Sequence, residues 1–409
     1  MSVFQLLEEE RNYSKLFYAG LVNGIGDRFS QVALLSLLLY LTGSGLAVGI
    51  AMAIRLLPFL LFGPIGGFLA DRFSKRTILM AADFSRIIFA VSFVFIDTPS
   101  MIWLAYVSSF FLAAGEAVYA PSRRSIIPFL VNEQNLNKVN ALEQVMLGLV
   151  LIAGSLTGGA VTFLFGPDLT FWFNGLSFLA AGLLNSRLPC TYSAKGEGKS
   201  TPLSSMKPLS LIRTLLYTSP VLSVIFLFEI TIPLFNGIDN VLISVYAIQE
   251  YRLGEFGVGL FYGSLGAGLM LSFLVSPRIY CRHIEIGLGA LIAEGIFLGL
   301  LSSTASAAAA VILFIMMGFA SGIGNTCFDS MVMKECPKMH QGLIFGLLAT
   351  LSNTILGISM FGAGMLLEWI PNRILGLIGA VGFIAEGVML LAFNKKISNK
   401  TENSLKKPV

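Results

Sequence analysis

Asp27, Glu116, Glu229 and Asp239 stand in runs that are otherwise apolar, and so do Arg28, Arg55 and Arg123. A charge at the centre of a bilayer costs at least about 2.5 kcal/mol, so buried ones are candidates for function. A carboxylate there can take up and release a proton, since leaving water disfavours its charged form. A guanidinium there can hold an anionic cargo. Helical spacing groups these residues into four polar stripes. The first holds Asn23, Asp27, Ser30 and Gln31, and the second Glu116, Tyr119 and Arg123. The third holds Glu229, Asn236 and Asn240 with Asp239 beside them, and the fourth Ser321, Asn325 and Asp329. Each residue alone could make a packing hydrogen bond; four stripes together suggest a lined cavity.

Depth ranks the carboxylates. At 1.5 Å per residue Asp27 lies about 20 Å from the inner end of its apolar run, and Glu229 about 15 Å from the inner end of its own. Both are therefore near mid-membrane, and both are candidates for carrying a proton. Glu229 comes first, because its run has no lysine or arginine. Asp27 comes second, because Arg55 lies at its depth and would compete with the proton for it. Arg28 points about 100° away from Asp27 and needs another partner, for which Glu116 is available. Pro233 and Gly237 place a kink or break in the third stripe. Phe226, Phe228 and Phe235 nearby suit an adaptable apolar pocket. Glu143, Glu294 and Glu386 are also isolated acids, and a packing role is open for each.

Other chemistries have less support. No nucleophile–base spacing appears, so an enzyme is not expected. The two histidines and four cysteines form no ligand spacing, so no metal or cofactor is expected. Cys190, Cys281, Cys327 and Cys336 read as reduced. GEGKS, residues 196–200, lacks the leading glycine and preceding strand of a phosphate loop. A net charge of +4 with no basic stripe gives no sign of nucleic-acid binding.

The elements that position the stripes are membrane helices. The chain has 409 residues, 55% hydrophobic and 12% charged, with mean hydropathy +0.80. An ordinary soluble domain is about a quarter charged. Twelve segments reach the length of a spanning helix, at 14–41, 45–70, 77–97, 101–121, 138–163, 169–187, 217–247, 255–276, 284–304, 308–332, 342–367 and 373–393. With the amino terminus inside, 22 lysines and arginines fall on inner segments and two, Arg252 and Arg373, on outer loops. That asymmetry puts both termini in the cytoplasm. The acidic opening MSVFQLLEEE does not read as a cleavable signal. The expected fold is all-α, an integral membrane protein of twelve transmembrane helices in two pseudo-symmetric six-helix bundles. The bundles are expected at 1–188 and 217–393, with a Gly/Ser/Pro/Lys linker at 189–216 and a mobile polar tail at 394–409. Gly115 and Pro128 are echoed by Gly324 and Pro337, and Gly154, Gly159 and Pro167 by Gly357, Gly362 and Pro371.

GGFLADRFSKR, residues 66–76, forms the turn between the second and third spans. Gly67, Asp71, Arg72, Ser74, Lys75 and Arg76 resemble the loop signature of the major facilitator superfamily, with Ser74 where the signature has its second glycine. The resemblance covers almost the whole chain. It implies the two-bundle fold, a cavity lined by helices one, four, seven and ten, and a gating role for this turn. It also implies that Asp71 lies by the amino end of helix eleven, where a carboxylate gains about 0.3–1 kcal/mol from the helix dipole. Asp83 and Arg86, at i and i+3 just beyond, are expected to form a salt bridge supporting the turn. The runs GSGLAVGIAMAIRLLPFLLFGPIGGFLADR, AADFSR, YAPSRRSIIPFLV and LNKVNALEQ resemble the bacterial branch of macrolide-type efflux proteins and the enterobactin exporter. Gly154, Ser155, Gly158 and Gly159 stand where antiporters often carry Gly-Pro and two further glycines.

The resulting expectation is a monomeric, multi-pass transporter of the bacterial cytoplasmic membrane, embedded in the lipid bilayer. It would export small amphiphilic molecules such as drugs and macrolides by proton-coupled alternating access. Alternatives are an exporter of an anionic siderophore or a lysolipid carrier, with Arg28, Arg55 and Arg123 as anion contacts. A membrane sensor or assembly partner would instead have a dry, fully paired interior.

Overall fold

The computed structural model describes residues 3–42, 45–189 and 220–405, and among them all regular structure is helical. In chain order the helices are α1 (Val3–Glu9), α2 (Arg11–Thr42), α3 (Gly45–Arg72), α4 (Lys75–Ser92), α5 (Ile102–Leu130), α6 (Leu136–Phe165) and α7 (Pro167–Asn185). They continue as α8 (Pro220–Val245), α9 (Gly254–Ser272), α10 (His283–Ser303), α11 (Ala307–Glu335), α12 (Gln341–Leu366) and α13 (Asn372–Leu405). α2 to α13 match the twelve expected spans. Ten of the helices are long and apolar enough to cross a membrane. α2 and α7 fall outside that group. α2 owes this to the polar run from Asn23 to Gln31, which is the first candidate stripe. α7 is short, at 19 residues, and carries Asp168, Asn174 and Asn185.

The helices pack as two units. The first takes α1 to α7 together with Lys338–Gly357, the opening of α12; the second takes α8 to α11, the remainder of α12 and α13. Beyond its first residue, the expected linker at 189–216 lies outside the described residues. In lipid, apolar side chains gain little by leaving their surroundings, so close packing holds such units together. In the first unit Leu34, Leu38, Phe93, Leu112, Phe171 and Phe178 pack as a buried core contributed by α2, α4–α5 and α7.

Two boundaries differ from expectation. α5 runs on to Leu130 through Pro121 and Pro128. Serine hydroxyls on those turns bond carbonyls of the same helix, Ser122 to Val118 at 3.0 Å and Ser125 to Ser122 at 3.1 Å. Such local bonds help membrane helices tolerate proline. α13 continues to Leu405 where a mobile tail was expected. No glycine or proline interrupts Asn394 to Leu405, so nothing stops the helix before that point.

Candidate functional site

α2, α3, α4 and α5 bring one charge network together in the first unit. Asp27 Oδ2 accepts from Arg55 at 2.9 Å, so the pair expected from depth is present. Arg86 donates to Glu116 Oε2 at 2.9 Å, and its other nitrogen lies 4.0 Å from Asp27 Oδ1. Asn23 joins the two halves: its amide donates to Asp83 at 2.8 Å, and its carbonyl lies 3.5 Å from Arg86. The Arg86 guanidinium also lies over the Phe178 ring at 4.3 Å. Its stem fills the space above Gly115, where a Cβ would come within 2.7 Å of it.

Two sequence expectations fail here. Asp83 and Arg86 do not pair with each other. Spacing of i and i+3 permits a pair on a helix surface, but both side chains are buried among other helices. There the Asn23 and Asn185 amides satisfy Asp83, the latter at 2.7 Å, and the Glu116 carboxylate takes Arg86. Arg28 likewise does not reach Glu116; it is exposed and donates to Gln31 at 3.1 Å.

Arg123 forms a separate buried cluster. Its guanidinium grips both oxygens of Glu143, and Tyr13 donates to the same carboxylate at 2.5 Å. Tyr119 is buried one turn before it. Glu143, an isolated acid in the sequence, thus has a cation that only the fold supplies. Asn185 and Tyr13 were missed. For Asn185 a signal existed: Asn174 and Asn185, eleven residues apart, share one face of α7.

The turn after α3 meets the start of α12 within the first unit. Asp71 accepts from the Gly342 and Leu343 N–H groups at 2.8 and 2.9 Å. Those N–H groups have no partner within their own helix, and the dipole there favours an anion. Glycines permit the approach: a Cβ on Gly67 would lie 2.6 Å from the Gly342 carbonyl, and one on Gly346 would lie 2.6 Å from that of Gly63. Lys75 is buried, donating to Ala70 O at 2.9 Å with its ammonium 5.0 Å from the Phe129 ring. Arg72 is exposed, beside Phe68, and Arg76 is half-buried. Asp71→Asn keeps the size but loses the charge, so it should weaken this contact by about 1 kcal/mol, roughly a fivefold shift in a two-state equilibrium. Initial transport rates in vesicles holding equal amounts of inserted protein should fall by a similar factor. An unchanged rate would leave Asp71 as a mere marker of the positive side.

In the second unit, Glu229, Asn236 and Asn240 are half-buried along α8, and Asn240 donates back to the Asn236 carbonyl at 2.8 Å. Asp239 is buried. On α11, Asn325 is exposed and Asp329 half-buried. Of the expected kink or break, a break is absent: α8 runs unbroken through Pro233. The Ser359 hydroxyl of α12 donates to the carbonyl of Leu234, the residue after Pro233, so a neighbouring helix serves the backbone here. The phenylalanines are packing rather than an open pocket. Phe228 packs at a tilt on Phe328 with ring centroids 4.1 Å apart, Phe235 likewise on Phe383 at 5.9 Å, and Phe226 is buried as well. Among the described residues no group of three or more His, Cys, Asp or Glu could hold a metal ion.

Comparison with known proteins agrees with this architecture. A family model described as Major Facilitator Superfamily matches residues 16–362. An uncharacterised MFS-type transporter of Bacillus subtilis, YfiS, is 25% identical over 96% of this chain and 95% of its own length. Macrolide efflux protein A of Streptococcus pyogenes is 29% identical over 34% of this chain and 36% of its own. The crystal structure of the human organic anion transporter MFSD10 matches with a TM-score of 0.74 at 15% identity, covering 94% of this chain and 98% of that one.

Proposed function

We propose, from the premise that the chain belongs to the Major Facilitator Superfamily, that it is a proton-coupled exporter of small amphiphilic molecules. Members of this family are transporters rather than enzymes, and the chain is a multi-pass membrane protein. The finer reading places it as a monomer in a bacterial cytoplasmic membrane with both termini inside, on the lysine and arginine asymmetry.

One observation carries the transport reading. Arg28 is exposed, Glu116 is 36% exposed, and Asp27 and Arg55 are about one-fifth exposed, in the stretch of the first unit that should lie in the bilayer. Charges cannot face lipid at that depth, so this face meets water. A wet, charged path beside apolar helices suits cargo that is partly apolar and partly polar. The sensor alternative called for a dry, fully paired interior, which these residues do not provide. Similarity to a macrolide efflux protein supports export as the direction.

Glu229 is the proposed proton carrier and Asp27 the reserve. Asp27 is held by Arg55 at 2.9 Å with Arg86 at 4.0 Å, so a proton there competes with two guanidiniums. Export of an anionic cargo such as a siderophore is the second reading. Arg28 favours it, because Arg55 and Arg123 are already spent on carboxylates while Arg28 bonds only Gln31 among the described residues.

The test is growth and dye retention in cells overexpressing the protein, across cationic dyes, macrolides and siderophores. Lower retention of dyes or macrolides, abolished by a proton uncoupler, is the expected result. Export confined to siderophores and lost in Arg28→Gln would replace it with the anionic reading. Retention equal to that of empty cells across the whole panel would defeat both.

A further inference from the structure

The expected span of α5 ends at 121, yet the helix continues to Leu130 through Pro121 and Pro128. Each proline removes a helix hydrogen bond, so the extension needs support from its neighbours. Residues 122–130 carry an exposed arginine and an aromatic ring, Arg124 and Phe129, that neither the charge network nor the Asp71 contact uses. Both meet the opening of α12, within the first unit. The Arg124 guanidinium lies 5.9 Å from the centroid of the Phe345 ring. The Lys338 ammonium lies 5.6 Å from the centroid of the Phe129 ring. Lys338 begins the short turn Lys338–His340 that leads straight into Gln341 of α12.

The two contacts are reciprocal. α5 gives a cation to a ring of α12 and takes a cation from the turn before it onto a ring of its own. The later residue of α5 meets the earlier residue of the other stretch, as antiparallel elements require. The Phe129 ring is also shared with Lys75 of α4, whose ammonium is 5.0 Å away and whose side chain is buried. An aromatic face attracts a cation through its quadrupole, and at exposed sites one such contact is worth about a factor of two to five in an equilibrium. Asp71 holds the same stretch by other means, with its carboxylate on the Gly342 and Leu343 N–H groups. The ring contacts need no charge on Asp71.

We propose that Arg124 and Phe129 are positioning residues of the gate, a second latch that keeps residues 338–345 against the first unit alongside Asp71. The proposal rests on the reading that the protein works by alternating access and that the 66–76 turn closes one side. It gives the extension of α5 through two prolines a task.

The experiment uses the full-length protein in membrane vesicles, with Cys336 as the reporter. Cys336 stands two residues before Lys338 and is 3% exposed. Cys190, Cys281 and Cys327 are replaced by alanine, and a membrane-impermeant maleimide is added on the side that bears the 66–76 turn. Its rate of reaction follows the share of molecules in which this stretch has come away. Lys338→Gln should raise that rate about threefold, and so should Phe129→Leu. Combining them should give no more than Phe129→Leu alone, because both remove one contact. Phe129→Tyr keeps the ring and should keep the wild-type rate. Arg124→Gln removes the separate contact, so with Phe129→Leu it should reach about tenfold. Lys338 is exposed, so Lys338→Gln decides the matter should Phe129→Leu fail to reach the membrane. Wild-type rates in Lys338→Gln and Phe129→Leu, beside a faster Asp71→Asn, overturn the latch and leave the gate to Asp71. Wild-type rates in every variant, Asp71→Asn included, overturn the gate reading and the latch with it. Phe129→Tyr as fast as Phe129→Leu reduces Phe129 to packing and rejects the latch. So does an equal rise at Cys327, which is buried in α11, in the matching protein that keeps only that cysteine, since general loosening would expose both.

Discussion

Arg86→Met should cost the protein about 2 kcal/mol, less than the roughly 3–5 kcal/mol of a fully buried pair, because it strips the shared cation from two carboxylates that lie partly in water. Arg86 is only 1% exposed and serves Glu116 at 2.9 Å, Asn23 at 3.5 Å and Asp27 at 4.0 Å. Without it Glu116 has no ion pair among the described residues, and Asp27 keeps its pair with Arg55. Arg86→Lys should not rescue, because an ammonium cannot hold both Glu116 and Asp27 as a planar fork does. Heat-unfolding midpoints in detergent, with the yield of monodisperse protein, are the readout. Adding Glu116→Gln to Arg86→Met should recover a large part of the loss, since the orphaned charge is then gone. Glu116 is more than a third exposed, so water takes up some of its charge and the recovery should be incomplete. An Arg86→Met midpoint equal to wild type would mean that the network contributes nothing to stability.

Glu229→Gln should abolish proton-driven accumulation while cargo exchange without a gradient persists. The neutral amide mimics the protonated acid, so the cargo route survives but the step that takes up and releases a proton does not. Glu229 is half-buried in a helix without lysine or arginine, and it lies ten residues before Asp239. Paired uptake into vesicles, with and without a pH gradient, separates the two activities. Retained accumulation in Glu229→Gln would pass the coupling proton to Asp27, despite Arg55. Loss of exchange along with accumulation would make Glu229 a cargo contact rather than a proton carrier.

The amino-acid sequence by itself determined the class of molecule. Membrane helices must satisfy their own backbone, so length and apolarity are enough to mark each span. The half-chain echo and the 66–76 turn carried the family. Depth alone paired Asp27 with Arg55, because rise per residue converts position into height when every helix crosses the same slab. That same regularity missed the run of α13 to Leu405, since a lysine-rich stretch with no breaker is compatible with either helix or tail.

Partners across helices were decided only by the tertiary structure. Spacing within one helix says which face a residue occupies but not which helix covers that face. Asp83 and Arg86 therefore looked like mates, yet each is claimed by another helix, Asp83 by Asn185 and Arg86 by Glu116. Glu143 looked isolated until Arg123 and Tyr13 closed on it. A buried charge must find its counterion in three dimensions, and helix order along the chain does not specify helix neighbours in the bundle.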